Sequence, residues 1–109
     1  MDTIIQWNIR GCIYHYCDLK ILLSEYNPIC MCLQETHFKP GQSYSLKHYN
    51  IVRHDSPIQV RVNGGVAIFI RQDATFKQVN LNTDLQAVAV RMSAPYNVTV
   101  CNIYLPDAN

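Results

Sequence analysis

Long hydrophobic runs are absent from this chain of 109 residues. The longest uninterrupted apolar stretches have five residues, at positions 29–33 and 66–70, whereas a helix that crosses a membrane needs about 20 apolar residues. Charge is scarce as well, because charged residues make up 16% of the chain and the net charge is +1. We therefore expect no membrane span, and the chain lacks the strongly basic balance of many nucleic-acid-binding domains.

A secretory signal is also missing, because no basic segment precedes the first apolar residues. The five cysteines are odd in number, so we expect reduced, mostly buried thiols instead of a disulfide framework. Cys30 and Cys32 lie two residues apart on a predicted strand, a spacing that favours core packing over a zinc site. We expect an intracellular protein, nuclear or cytoplasmic, with a single domain over residues 1–109.

The first third of the chain predicts a strand, a helix and a second strand. The strands cover residues 3–9 and 29–34, and apolar residues recur at helical spacing between them, over residues 18–26. Pro28 ends the helix, because proline disfavours helical geometry in the residue before it. A strand–helix–strand crossover implies that the two strands are parallel neighbours.

The remainder of the chain is rich in short strands. Four are predicted at residues 49–53, 66–71, 85–92 and 98–105, with a weaker fifth at 76–81. The turns between them are short, which favours antiparallel neighbours. The fold class is therefore α/β, with a mixed β-sheet and one helix packed on it.

Polar side chains stand near the ends of three predicted strands. Asn8 and Glu35 close the first two, and a parallel crossover places both strand ends at the same edge of the sheet. Asn102 and Tyr104 lie two residues apart near the end of the last strand and share one face. An amide, a carboxylate and a phenol can therefore meet at one rim.

Such a group suits phosphate chemistry. A glutamate can hold Mg²⁺, which is usually bound through one or two carboxylates together with water and phosphate. An asparagine can hydrogen-bond a phosphate oxygen or an attacking water, and a tyrosine hydroxyl can donate to phosphate. The same residue types also occur at strand ends as turn residues or solvated groups, so the spacing leaves both interpretations open.

Four short motifs occur in order along the chain: WNIRG at residues 7–11, LQETH at 33–37, GGVAI at 64–68 and IYLP at 103–106. In this order they resemble the N-terminal half of the endonuclease/exonuclease/phosphatase superfamily, over essentially the whole chain. Within the superfamily they are most similar to the endonuclease domain of LINE-like non-LTR retrotransposons, a relative of apurinic-site endonucleases. The resemblance implies the N-terminal half of a two-sheet α/β sandwich of the DNase I-like type.

The resemblance also implies roles for three residues. Glu35 matches the metal-binding glutamate, Asn8 the asparagine that helps organise metal and phosphate, and Tyr104 the tyrosine that contacts the scissile phosphate. The implied reaction is hydrolysis of a DNA phosphodiester with Mg²⁺ or Mn²⁺, and the retrotransposon branch nicks its target DNA in this way. Asp107 departs from the asparagine that is common at this position in the apurinic-site branch.

Further residues are candidates for contact with phosphate or DNA. Arg10 could hold a phosphate with its planar guanidinium or be an ordinary surface arginine. His37 could touch the DNA backbone or be a solvated loop histidine, and Asn102 stands on the rim beside them. Gly64 and Gly65 predict a turn with positive φ instead of a phosphate cradle, because no helix follows. The other cations are scattered and predict no patch: Lys39, Lys47, Arg53, Arg61 and Arg71.

Several parts of the family's site are not found in this sequence. After the tyrosine the family supplies an Asp-x-Asn block, a further acidic residue and a Ser-Asp-His block, and no histidine here lies in such a block. We interpret the chain as a truncated fragment that binds metal weakly and is inactive alone, because the general-base half of the mechanism is absent. One alternative is an inactive remnant or interaction fragment of the same fold. Another is a small cysteine-containing binding module, against which the ordered motifs argue.

Half of a sandwich has a further physical consequence. The inner face of its sheet would be exposed as an apolar patch larger than monomers usually tolerate. We therefore expect the isolated chain to associate with itself or with the missing half of the fold.

Overall fold

Two β-sheets packed face to face form the body of the fold, and one helix covers the outer face of the first sheet. The computed structural model describes residues 2–57 and 64–105. The elements are β1 Ile4–Asn8, α1 Tyr16–Tyr26, β2 Cys30–Gln34, β3 Tyr49–His54, β4 Val66–Arg71, β5 Thr75–Val79, β6 Gln86–Ala94 and β7 Val98–Tyr104.

The first sheet has four strands in the order β1-β2-β4-β3, and the second has three in the order β5-β6-β7. β1 and β2 are parallel neighbours joined by α1, as the predicted crossover requires. All other pairs within the described residues are antiparallel. For β5-β6 and β6-β7, which are consecutive strands, this confirms the inference from short turns. The position of β4 between β2 and β3 was not predicted, because hydrophobic patterns do not specify which strands become neighbours.

The helix α1 begins two residues before the predicted start and ends at Tyr26, as predicted from Pro28. Leu19 and Leu23 are its fully buried residues and face the sheet. Asn27 adopts a left-handed conformation (φ 44°) and donates its N–H to the carbonyl of Leu23, and Pro28 follows. No helix in residues 2–57 and 64–105 is long and apolar enough to cross a membrane.

The strand β2 lies at the centre of both hydrophobic cores. All five of its residues are buried, because α1 covers one face of the first sheet and the second sheet covers the other. Met31 and Leu33 point into the cluster under α1, while Cys30 and Cys32 point into the cluster between the sheets. This confirms the prediction of a strand covered on both faces.

The two sheets do not cover each other completely. β7 packs against β2 and β4, and β6 packs against β3 and β4. Among the described residues, β1 therefore extends past the edge of the three-stranded sheet, and its side chains alternate between exposed and half-buried.

All five cysteines are free thiols. Cys12, Cys30 and Cys32 are buried, whereas Cys17 and Cys101 are exposed. Burial raises the pKa of Cys12 to about 12 and the pKa values of Cys30 and Cys32 to about 11. The prediction of reduced, mostly buried thiols is confirmed.

This difference predicts selective alkylation. At pH 8 iodoacetamide should modify Cys17 and Cys101 in the folded protein, because a buried thiol with a raised pKa forms little reactive thiolate. Peptide mass spectrometry should find these two adducts under native conditions and all five in denaturant. Rapid native labelling of Cys30 or Cys32 would contradict the packing described here.

Candidate active site

The backbone continues its sheet-like pairing beyond the end of β2. The amides of Gly11 and Cys12 donate to the carbonyls of Glu35 and Thr36, both at 2.9 Å. This ties the segment after β1 to the segment after β2. Asn8 and Glu35 therefore emerge at the same edge, as the crossover predicted.

The opposite side of this segment is held by the two glycines before β4. The amides of Thr36 and His37 donate to the carbonyls of Gly65 and Gly64, at 3.2 and 3.0 Å. Gly65 has a φ of +99°, and a Cβ there would lie 2.3 Å from the Thr36 Oγ1. Glycine is needed both for the positive φ and for the close approach. The predicted positive φ is confirmed at Gly65, and the chain continues from it into β4 without a helix.

Three non-glycine residues on this rim have left-handed backbones. Arg10, Glu35 and His37 have φ values of 53°, 56° and 58°. Each such residue costs about 1–2 kcal/mol relative to ordinary geometry. Strain of this kind persists only where the surroundings enforce it, and it is concentrated at functional sites.

The Glu35 carboxylate is positioned by its neighbours. Asn8 Nδ2 donates to Glu35 Oε2 at 2.7 Å. The second oxygen, Oε1, lies 3.8 Å from His37 Nε2, and the Glu35 side chain is 20% exposed. His37 Nε2 is buried and has no hydrogen-bond partner within the described ranges. The structure thus brings Asn8, Glu35 and His37 together, with one carboxylate oxygen directed away from the asparagine.

A chain of three side-chain amides lies beneath the rim. Gln6 donates to the side-chain oxygen of Gln34, and Gln34 donates to Asn102 Oδ1 at 2.5 Å. Asn102 Nδ2 in turn donates to the carbonyls of Leu33 and Ala67, both at 2.9 Å. These bonds connect β1, β2 and β4 of the first sheet to β7 of the second.

The role predicted for Asn102 is corrected by this arrangement. Asn102 is only 3% exposed, and both ends of its amide bind protein groups, so it joins the sheets and is not positioned to contact phosphate. Sequence reasoning missed Gln6 and Gln34 as its partners. Gln34 could have been found from the sequence, because it is an amide at the end of an otherwise apolar strand that is predicted to be buried. A buried polar group requires a hydrogen-bond partner.

Tyr104 lies beside this chain of amides. It shares a face with Asn102, as predicted, and packs half-buried against the cluster between the sheets. A cleft of about 660 Å³ is lined by Tyr104 together with Gln6, Gln34 and Asn102. Tyr104 thus lines the same cleft as Gln34, the residue that precedes Glu35.

Two of the arginines are bound by carboxylates. Arg53 binds Asp55 at 3.1 Å, and Arg71 binds Asp2 at 2.9 Å and Asp73 at 2.7 Å. Arg10 is exposed at the rim. Two residues named in the sequence analysis, Arg61 and Asp107, lie outside the described ranges.

The rim that carries Asn8 and Glu35 offers only some of the oxygen ligands that a divalent ion such as Mg²⁺ prefers. No group of three or more His, Cys, Asp or Glu residues forms a metal cluster among the described residues. Glu35 does offer a carboxylate oxygen, with the Asn8 amide beside it. One carboxylate completed by water and phosphate is a common way to bind Mg²⁺, so the donor set fits a weakly held ion.

The sequence of the chain matches the endonuclease/exonuclease/phosphatase family over residues 5–106. It belongs to that family. The family assignment agrees with the four motifs, and the segment it covers includes Asn8, Glu35 and Tyr104. Nucleases of this family generally use divalent metal ions. A search of curated proteins found no match.

Solved structures show the same fold. The Neisseria 3′ phosphatase NExo bound to a product DNA hairpin is 24% identical, with a TM-score of 0.71 over 95% of this chain. An AP endonuclease from Archaeoglobus fulgidus is 20% identical, with a TM-score of 0.70 over 97% of this chain. The catalytic domain of human Nocturnin with bound sulfate is 25% identical, with a TM-score of 0.55 over 90%.

This member of the family spans less than half of the length of these related chains. It covers 41% of the Neisseria chain, 42% of the archaeal chain and 47% of the human one. The described residues of this chain form two sheets and one helix, which agrees with the predicted partial sandwich and with the fold of these structures.

The chain of amides predicts a large effect of one substitution. Asn102→Ala should lower the free energy of unfolding by about 2–4 kcal/mol, because it removes the side-chain donor to the Leu33 and Ala67 carbonyls and leaves the buried side-chain amide of Gln34 without its acceptor. The matched control on the same strand is Thr99→Ala, which removes an exposed side chain and should cost less than about 1 kcal/mol. Urea denaturation measures both values, and equal costs would refute a bridging role.

Proposed function

We propose that this chain contributes the metal-binding part of a phosphodiesterase site that cleaves DNA, of the kind found in LINE-like retrotransposon endonucleases. The observation that carries this proposal is the Glu35 carboxylate, held at 2.7 Å by Asn8 on a strained rim, with its second oxygen 3.8 Å from His37 Nε2. The family to which the chain belongs supports hydrolysis of a phosphate ester.

Each residue of the rim has a distinct part in the proposed chemistry. Glu35 would hold Mg²⁺ or Mn²⁺, which when bound polarises a phosphoryl oxygen. Asn8 keeps the carboxylate in place through its Nδ2, because a second hydrogen-bonded group fixes the orientation of a ligand. Tyr104 would donate its hydroxyl to a phosphate oxygen, and Arg10 would hold the DNA backbone. His37 faces the same carboxylate and is the remaining candidate for contact with DNA.

DNA as the substrate is supported by similarity of fold. The Neisseria phosphatase was solved with a DNA hairpin product, and the archaeal relative is an AP endonuclease. This chain covers 41% and 42% of those two proteins, so the activity of a complete domain is part of the proposal.

A second candidate function is an inactive member of the same fold. It is favoured by the small donor set, because a single carboxylate stands at the rim and no larger metal cluster exists within the described ranges. Such a chain would bind metal without cleaving DNA. The two candidates share Glu35 as the metal ligand and differ in turnover.

Metal titration followed by a nicking assay tests the proposal. Binding of Mn²⁺ to the 109-residue chain should be lost in Glu35→Ala and weakened about tenfold in Asn8→Ala, since orienting residues are worth about 10–100-fold in metal affinity. Glu25→Ala is the matched control, because Glu25 is exposed on α1. Mn²⁺ binding that persists unchanged in Glu35→Ala would refute the metal site.

The nicking assay then separates the two candidate functions. With supercoiled plasmid and Mg²⁺, an active chain should nick the DNA, and Glu35→Ala should reduce the rate by about 100-fold while Glu25→Ala leaves it unchanged. Metal binding without nicking would select the inactive member of the fold.

A further inference from the structure

A cavity lies at the end of the first sheet opposite the Glu35 rim. The last turns of α1, the turn before β3 and the turn after β4 form its walls. β4 starts beside the glycines of the rim and ends at the cavity, so roughly 17 Å of strand separate the two sites. The volume of about 780 Å³ is within the range of small-molecule sites. The polar groups on its lining include Lys20, Asn27, Lys47, His48, Arg71 and Asp73.

Arg71 fixes the walls of this cavity relative to each other. Its guanidinium donates to the carbonyl of Asn27 at 2.7 Å, to Asp2 at 2.9 Å and to Asp73 at 2.7 Å. These bonds join the end of α1, the segment before β1 and the turn after β4. The contact with Asn27 also meets the partial negative charge at the C-terminal end of α1. The cavity is therefore formed in advance of any ligand, as most small-molecule sites are.

The floor of the cavity is apolar. Leu23, Leu46 and Tyr49 line it and are only 5–7% exposed. The Tyr49 hydroxyl already donates to the carbonyl of Pro28 at 2.6 Å, so the floor offers a ligand mainly aliphatic and aromatic surface. Such a floor suits an apolar or aromatic body that leaves water on binding.

The charges of the lining favour an anion. Asp73 binds Arg71 with both of its oxygens, so these two charges satisfy each other. Lys20 and Lys47 are exposed, and within the described part of the chain neither has a carboxylate within the 4.0 Å of an ion pair. Lys20 Nζ lies 4.7 Å from the centre of the Tyr16 ring. The lining thus carries two lysine charges that a ligand can neutralise.

The turn before β3 has a strained residue at the cavity. The amide of Tyr49 donates to the carbonyl of Leu46 at 3.2 Å, and His48, inside this turn, has a φ of 72°. Glycine or asparagine is usual where a turn requires positive φ, and another residue costs about 1–2 kcal/mol. The carbonyl of His48 is held by the Gln72 amide at 2.9 Å. The turn presents an imidazole next to Lys47 on the cavity wall.

We propose that this cavity binds an organic phosphate monoester with an apolar or aromatic body. The body lies on the floor, and the phosphate meets Lys20 and Lys47, whose two charges match those of the dianion. His48 adds a ring N–H as a further donor. A nucleotide and a phosphate ester without a base share this chemistry. The inference does not depend on the proposed nuclease function, because the cavity shares no residue with the rim.

Isothermal titration calorimetry of the 109-residue chain with 1-naphthyl phosphate tests the site. EDTA in the buffer prevents a metal at the Glu35 rim from holding the phosphate. We expect a dissociation constant below about 1 mM that Lys20→Ala and Lys47→Ala each raise about fivefold, because each removes one charged contact. Lys77→Ala is the matched control, since Lys77 is exposed on β5 and lies outside the cavity. Thermal unfolding checks that each variant is folded.

Probes that carry one half of the ligand separate the contributions of floor and charge. Inorganic phosphate lacks the body and 2-naphthol lacks the charge, so each should bind at least about tenfold more weakly than 1-naphthyl phosphate. Adenosine 5′-monophosphate then distinguishes the sources of the phosphate. Binding as tight as that of the naphthyl ester supports a nucleotide, and weaker binding supports an ester without a base.

Four results would overturn the proposal. The first is a failure of both esters to bind, and the second is equal binding in the variants of Lys20, Lys47 and Lys77. The third is binding of 2-naphthol or inorganic phosphate as tight as that of the naphthyl ester. The fourth is binding of polyglutamate while both esters fail, which would assign the cavity to an acidic protein partner.

Discussion

The left-handed backbone at Glu35 and His37 is the constraint on which the rim depends. Two such residues cost about 1–2 kcal/mol each. Four main-chain hydrogen bonds hold residues 35–37 between residues 11–12 and 64–65, and each contributes about 0.5–1.5 kcal/mol net. The two quantities are comparable, so the strained geometry is stable only while both neighbouring segments are in place. The direction of the carboxylate is therefore a property of three strands together.

The side-chain amides of Gln6, Gln34 and Asn102 connect the two sheets by hydrogen bonds. Apolar packing between sheets is tolerant of small displacements, whereas a buried amide requires a partner at a defined distance and angle. Asn102 binds the carbonyls of Leu33 and Ala67, which belong to β2 and β4. The cleft that contains Tyr104 is consequently kept in a defined position relative to the rim. A group that looked like a ligand for phosphate instead positions the residues around it.

Local patterns predicted the elements well because each depends on neighbours along the chain. The spacing of Leu19 and Leu23 sets the buried face of α1, and Pro28 sets its end. The apolar run of β2 predicted burial on both faces, and the crossover predicted that Asn8 and Glu35 share an edge. In the structure these two side chains form a hydrogen bond. The left-handed backbone of Glu35 was not predicted. That geometry arises from hydrogen bonds to segments about 25 residues away in each direction, which no local pattern records.

The amino-acid sequence by itself determined the α/β class, the parallel crossover, the strand candidates and the pair Asn8 and Glu35. The tertiary structure alone decided that β4 separates β2 from β3, that the sheets are offset by one strand, and that Asn102 is buried between them. The physical reason is the range of the interactions. Alternation and helical spacing report which side of an element is apolar, whereas strand order, sheet offset and the partners of a buried amide depend on which distant surfaces pack together.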